Sequence, residues 1–254
     1  MKRIDLNCDL GESYGRFKVG NDEAIMPYIT SCNIACGFHG GDPVTIVKTI
    51  DLAASHGVQI GAHPSFPDLQ GFGRREMVMS NEELSACVKY QVMALKGLTE
   101  AVGQKLRHVK PHGALYNAAA KDLAIAKTLI STVFSLDPEL VFVGPAMNAM
   151  RGFARDLGQK YASEVFADRR YNDNLTLVSR ALPEAMITDE EEAERQVLQM
   201  ALDQKVTTVT GVEKDITAET ICLHGDQPNA VNFARRIRTA LIEQGLTIKA
   251  HADD

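Results

Sequence analysis

The sequence predicts an α/β barrel. Short apolar runs, several of them β-branched, alternate with longer amphipathic stretches about seven times, the pattern of a mostly parallel sheet. Polar motifs rich in His, Asp and Gly stand where apolar runs stop, as they do in barrels whose chemistry lies at the strand ends. These motifs follow early and late strands alike. An open, doubly wound sheet would gather its site near one switch point and commonly carries G-x-G-x-x-G after its first strand, which this chain lacks. The 254 residues suit one such barrel, so residues 1–254 are read as a single domain.

The expected strands cover residues 3–8, 28–34, 58–61, 107–109, 140–143, 162–166 and 220–223, with 246–249 as a terminal addition. The first helix opens at Asp42-Pro43, a side-chain cap followed by proline in the first turn, and stops at His56-Gly57. Ser80-Asn81-Glu82-Glu83 forms a capping box ahead of a helix reaching residue 103. Residues 121–134 and 147–157 follow. A second capping box, Thr188-Asp189-Glu190-Glu191, precedes Val197, Leu198, Ala201 and Leu202, and a last helix spans 228–244. Residues near 171–187 break the alternation and read as an irregular insertion; those near 206–218 read as a hairpin.

The net charge of −6 and the lack of any Lys/Arg-rich block argue against a nucleic-acid or anionic-membrane surface. No apolar run approaches the roughly 20 residues of a membrane span. The chain enters a polar motif at Asp5, so no signal peptide is expected at this N-terminus. Cysteine count is five, an odd number, with Cys8, Cys36 and Cys222 inside polar motifs where they serve best as small packing groups. A reduced, cytoplasmic setting is expected.

Within the first motif Asp5 and Asp9 share one strand face because their separation is even, and Glu12 falls in the following loop. His39 lies among Gly37, Gly40 and Gly41, where backbone can approach a ligand. His63 is held extended by Pro64. The loop after it carries Arg74 and Arg75, each able to grip a carboxylate or phosphate through paired hydrogen bonds. Lys110 and His112 stand together after a strand, with Asn117 five residues beyond His112; a partly buried Lys there favours an anionic substrate. Asp168 and Arg169 follow the sixth strand, with Asp168 placed to orient a histidine or to pair with an arginine. His224 and Asp226 end the last strand, and Asp226 serves equally as a helix cap. His56, His108 and His251 are given no role.

Asp9, His39, His63, His112, His224 and Asp226 make a donor set suited to a divalent metal such as zinc, with His63 and His112 as the first ligand candidates. The same set suits metal-free acid–base work, in which one group activates water while an imidazole and Lys110 stabilise an oxyanion. Spacing alone leaves both open.

Taken in order, these stretches resemble the LamB/YcsF family, that of the A subunit of prokaryotic 5-oxoprolinase. The resemblance is carried by Asp5-Leu6-Asn7-Cys8-Asp9-Leu10-Gly11-Glu12, Asn33-Ile34-Ala35-Cys36-Gly37-Phe38-His39, Gly61-Ala62-His63-Pro64-Ser65 and Gly71-Phe72-Gly73-Arg74-Arg75. It continues through Val109-Lys110-Pro111-His112-Gly113-Ala114-Leu115-Tyr116-Asn117, Glu164-Val165-Phe166-Ala167-Asp168-Arg169 and Cys222-Leu223-His224-Gly225-Asp226. Gly40 and Phe66 depart conservatively from the Ala and Tyr frequent in the family.

The resemblance implies a distorted seven-stranded β/α (TIM-like) barrel related to polysaccharide deacetylases. It implies ATP-dependent cleavage of 5-oxo-L-proline to L-glutamate, in company with subunits B and C. Asp9, His39, His63, Lys110 and His112 are then the catalytic candidates. Glu12, Arg74, Arg75, Asn117, Asp168, Arg169, His224 and Asp226 are the substrate-binding ones. The chain holds no G-x-x-x-x-G-K-[ST] phosphate cradle, so ATP, with its Mg, is expected on the partner subunits. A metal-dependent amide deacetylase and a non-enzymatic ligand-binding subunit are the alternatives.

Overall fold

The computed structural model describes residues 2–225 and 229–251. In chain order its strands are β1 (Arg3–Leu10), β2 (Ser31–Ala35), β3 (Gln59–His63), β4 (Leu106–Val109), β5 (Val141–Pro145), β6 (Tyr161–Phe166), β7 (Lys205–Thr207), β8 (Glu213–Asp215), β9 (Thr220–Leu223) and β10 (Thr247–Ile248). Seven of them close a parallel barrel in the order β1-β2-β3-β4-β5-β6-β9, because β1 pairs with both β2 and β9. β10 adds to β1 beneath the ring, and β7 and β8 form a separate antiparallel ribbon.

The helices are α1 (Asp22–Ile25), α2 (Pro43–His56), α3 (Asn81–Ala101), α4 (Gly113–Lys121), α5 (Leu123–Leu136), α6 (Asn148–Leu157), α7 (Glu190–Leu198) and α8 (Ala230–Glu243). The caps read from sequence at α2 and α3 are in place: Asp42 accepts from Val44 and Thr45, and Ser80 and Glu83 form the reciprocal box. Three readings are corrected. The α7 cap is Asp189, which accepts from the Glu192 N–H, and not Thr188. Lys121 closes α4 instead of opening the next helix, which starts after its own cap, Asp122. Residues 26–28 form a 3₁₀ turn, so β2 begins only at Ser31. Among the described residues no helix is long and apolar enough to cross a membrane.

Strand alternation divides the side chains. Leu6, Cys8 and Leu10 of β1 join the apolar layer beneath the helices, together with Ile50 and Ile237. Asp5, Asn7 and Asp9 turn inward. Barrels of this kind usually fill their interior with branched aliphatic side chains. Here it is largely a polar stack. On the floor Asp5 accepts from Thr30 (2.6 Å), Ser31 (2.8 Å) and Thr220 (2.5 Å), and lies 3.1 Å from His251 Nδ1. One layer up, His108 Nε2 donates to Asn33 Oδ1 (2.8 Å), and the Asn33 amide donates to Asn7 Oδ1 and Asp9 Oδ1 (2.8 Å each). Val141, Val143 and Ala162 make a small apolar cluster of their own. Burying polar groups costs free energy unless each finds a partner. The stack provides most of those partners, leaving only His108 Nδ1 and His251 Nε2 of the groups named here without one among the described residues, and fixes Asp9 at its top. His108 and His251, given no role from sequence, are therefore structural members of the barrel interior; burial pushes His108 down to about 3, so it stays neutral.

Candidate active site

At the carboxyl ends of the strands lies a cavity of about 420 Å³. Asp9, Glu12, His63, Lys110, His112, Asn117, Arg169, His224 and Arg74 line it. His39 and Asp168 lie directly behind it, the first stacked on His112 and the second hydrogen-bonded to His224. Arg75 is elsewhere: its Nε donates to Asp68 Oδ1 at 2.9 Å, a pairing that pulls the Asp68 carboxyl down to about 2. It tethers its own loop instead of facing the cavity. Asp226 lies outside the described residues.

The floor is an ionic constellation. Lys110 Nζ lies 2.9 Å from Asp9 Oδ1 and 2.7 Å from Glu164 Oε1, with all three side chains largely buried. Burial opposes the charge on Lys110, but the two carboxylates outweigh it and hold the ammonium form far above its ordinary range. Burial likewise works to raise Asp9; the His63 and Lys110 charges overcome it and hold the carboxyl well below the usual value. Asp9 Oδ2 faces His63 Nε2 at 3.2 Å.

Three imidazoles form the wall. His63 Nδ1 is 2.7 Å from the Lys110 carbonyl oxygen and His112 Nε2 is 2.9 Å from the Phe72 carbonyl oxygen. A carbonyl only accepts, so each of these nitrogens carries hydrogen. The remaining nitrogens, His63 Nε2 and His112 Nδ1, then face each other at 3.0 Å. His39 stacks on His112 with ring centroids 3.7 Å apart, and its Nε2 lies 3.2 Å from Glu12 Oε1. Burial, reinforced by neighbouring histidines, keeps His39 and His112 well below the ordinary imidazole value. Gly73 makes this packing achievable. It adopts φ +62°, and a Cβ there would lie 2.8 Å from both His112 and His39. The backbone thus passes close enough for Phe72 to accept from His112.

Two neutral imidazoles cannot face each other lone pair to lone pair without a positive centre between them. A shared proton satisfies the geometry, and so does a divalent cation. Glu12, His39, His63 and His112 place one donor atom each within 4.8 Å of one another, which fits a metal of the zinc class. A second grouping, Asp9, Cys222 and His224, fits less well. The Lys110 ammonium already sits 3.2 Å from Cys222 Sγ and beside Asp9. Burial pushes the Cys222 thiol far above its usual value, so it stays protonated.

Glu164, Tyr116 and Arg180 also line the cavity and were not singled out from sequence. For Glu164 a signal existed: an acid in the middle of an apolar strand has to meet a cation or a polar site. Tyr116 and Arg180 carried none, since one lies on the unforeseen α4 and the other in the irregular 171–187 segment. All five cysteines are free, and Cys8, Cys36 and Cys222 are buried in the packing.

Comparison with known proteins agrees with this architecture. The 5-oxoprolinase A subunit of Geobacillus thermodenitrificans is 51% identical over 250 residues, covering 98% of this chain and 97% of the relative. The crystal structure of a lactam utilization protein from Thermus thermophilus superposes with a TM-score of 0.91 at 45% identity, covering 98% of this chain and 99% of that one. The catalytic domain of a peptidoglycan N-acetylglucosamine deacetylase from Eubacterium rectale shares the fold alone, with a TM-score of 0.51 at 13% identity over 100% of this chain and 90% of that one. The seven-stranded barrel is therefore the one found in polysaccharide deacetylases. The LamB/YcsF family model matches residues 4–253, and the chain belongs to that family.

Proposed function

We propose that this chain is the ring-opening subunit of a multi-subunit 5-oxoprolinase, acting on a lactam that ATP has activated on partner subunits B and C. The observation that carries the reading is the Asp9–His63–His112 constellation over the Lys110 ammonium, at the floor of a cavity large enough for a small cyclic amide. The names of the relatives, a 5-oxoprolinase A subunit and a lactam utilization protein, support the substrate class.

An amide resists water because attack destroys its resonance. Phosphorylation of the lactam oxygen removes most of that resistance. Water then adds to the activated ring carbon as the His63–His112 pair, which Asp9 backs from 3.2 Å, gives its shared proton to the ring nitrogen. The added water's protons reload the pair and, through it, the ring nitrogen as the C–N bond breaks and γ-glutamyl phosphate results. A second water releases phosphate and leaves L-glutamate. Lys110 contributes positive potential beneath the developing oxyanion while pairing with Asp9 and Glu164. Such acid–base help is worth roughly 10²–10⁴-fold in rate. A divalent ion held by Glu12, His63 and His112 would add Lewis-acid polarisation of the carbonyl.

The test is ATP turnover by the isolated chain. Negligible turnover alone, with glutamate formed only when B and C are added, is the expected result. Robust ATP hydrolysis by this chain on its own would defeat the division of labour.

A further inference from the structure

Above the catalytic floor, the irregular segment that follows β6 folds back over the cavity. Arg169, itself buried, pins it there by donating to the Val178 carbonyl at 2.6 Å and the Ala185 carbonyl at 3.4 Å. Two of its donors are thus committed to the backbone of the cover. Farther along the same segment, Arg180 Nη2 lies 3.0 Å from His224 Nε2. His224 Nδ1 lies 2.7 and 2.9 Å from the two oxygens of Asp168. The carboxylate can only accept, so Nδ1 carries the hydrogen and Nε2 presents a lone pair to the guanidinium. Asp168, His224 and Arg180 form one directional chain from the end of β6, across the end of β9, into the cover.

This chain fixes a guanidinium at the cavity wall. Arg74 enters the same cavity from the loop after β3. Arg169 is pulled down to about 10, by burial first, then by the charge of Arg180, with Arg74 adding to it. Three guanidiniums within each other's field raise the cost of the empty cavity and favour an anion inside it.

We propose that Arg180, positioned by the Asp168–His224 pair, is the oxyanion-recognition residue of this site. Its ligand is an oxyanion of the substrate, either the carboxylate of the lactam or the phosphoryl group of its activated form; that choice of ligand rests on the function proposed above. Planar guanidinium matches either group through two parallel hydrogen bonds. Arg180 is exposed, so its replacement removes little packing and should leave the fold intact.

Calorimetric titration of the full chain with 5-oxo-L-proline and, separately, with inorganic phosphate tests this. Arg180→Ala should weaken one of the two by about 10- to 100-fold, the range for losing a charge-assisted hydrogen bond, and Arg180→Lys should lose less. Loss confined to 5-oxoproline assigns the carboxylate; loss confined to phosphate assigns the phosphoryl group. Asp168→Asn should weaken the same probe in the wild-type background and add nothing in the Arg180→Ala background, a non-additivity that a purely structural role for Asp168 would not give. If wild-type protein binds phosphate through Arg180 but ignores 5-oxoproline, the lactam reading fails and the oxyanion assignment stands. Unchanged binding of both probes by Arg180→Ala, or no binding of either by the wild type, overturns the assignment.

Discussion

His63 Nε2 and His112 Nδ1 face each other at 3.0 Å while the other nitrogen of each ring donates to a backbone carbonyl. The geometry holds both tautomers and demands one positive centre between the rings. Either ring's loss destroys the shared-proton site and leaves the surviving nitrogen only a carboxylate, Asp9 for His63 (3.2 Å) or Glu12 for His112 (3.6 Å). His112→Ala should therefore lower glutamate formation by about 10²–10⁴-fold in the reconstituted enzyme, with little change in KM. Steady-state kinetics check this, and metal analysis of protein purified without chelator tells which positive centre is present: stoichiometric zinc means the cation, its absence the proton.

Arg74 and Arg75 are adjacent in sequence but part company in space. Arg75 is bound to Asp68, and Arg74 lines the cavity. Arg74→Ala should raise the Kd for an anionic ligand by about 10-fold, the effect of losing one charged contact. Arg75→Ala should leave that Kd within about twofold while making the 66–75 loop more sensitive to limited proteolysis.

Gly61 holds space for a side chain from the next strand. A methyl group at its Cβ position would overlap the imidazole of His108. Gly61→Ala should displace that ring, break its bond to Asn33 and so loosen Asp9. Overpacking of this kind costs about 1–3 kcal/mol, which urea denaturation would read as a lower midpoint at constant slope. Catalysis should fall as well, since Asn33 holds Asp9.

Asp5 makes the floor of the barrel sensitive to acid. Burial acts to raise its carboxyl, but the hydrogen bond and charge of His251 and the hydroxyls of Thr220 and Thr30 bring the net shift below the ordinary value. A carboxyl depressed in the folded state contributes stability above its unfolded pKa, about 3.9, and loses it as pH falls through the folded value. Thermal melts should therefore show a loss of stability below about pH 4. Asp5→Asn should flatten that loss and be less stable than the wild type at pH 7.

Much of this molecule is legible in its sequence. Turn chemistry and strand periodicity place Asp9, His63, Lys110, His112 and His224 at strand ends, and closure of the sheet brings them to one cavity. What escaped depends on packing across the barrel. His108 and His251 are ordinary in sequence, and only register reveals that one bonds Asn33 and the other Asp5. Glu164 stands out as an acid in an apolar strand, but only closure of the barrel shows that its partner is Lys110, just past the end of the non-adjacent β4. Helix α4 was missed because Lys110-Pro111-His112-Gly113 reads as a loop, although Gly113 begins a helix whose N-cap is His112 itself. Arg180 lies in a stretch with no period at all, and Arg75 cannot be told from Arg74 without knowing where Asp68 points.

The central claim is that ring opening occurs in this cavity while ATP is consumed elsewhere. The most direct measurement is parallel assay of ADP and glutamate in the complex reconstituted with Asp9→Asn. The account predicts that glutamate formation collapses while ADP continues to appear, uncoupled from product. Glutamate formed at the wild-type rate by that variant would contradict it.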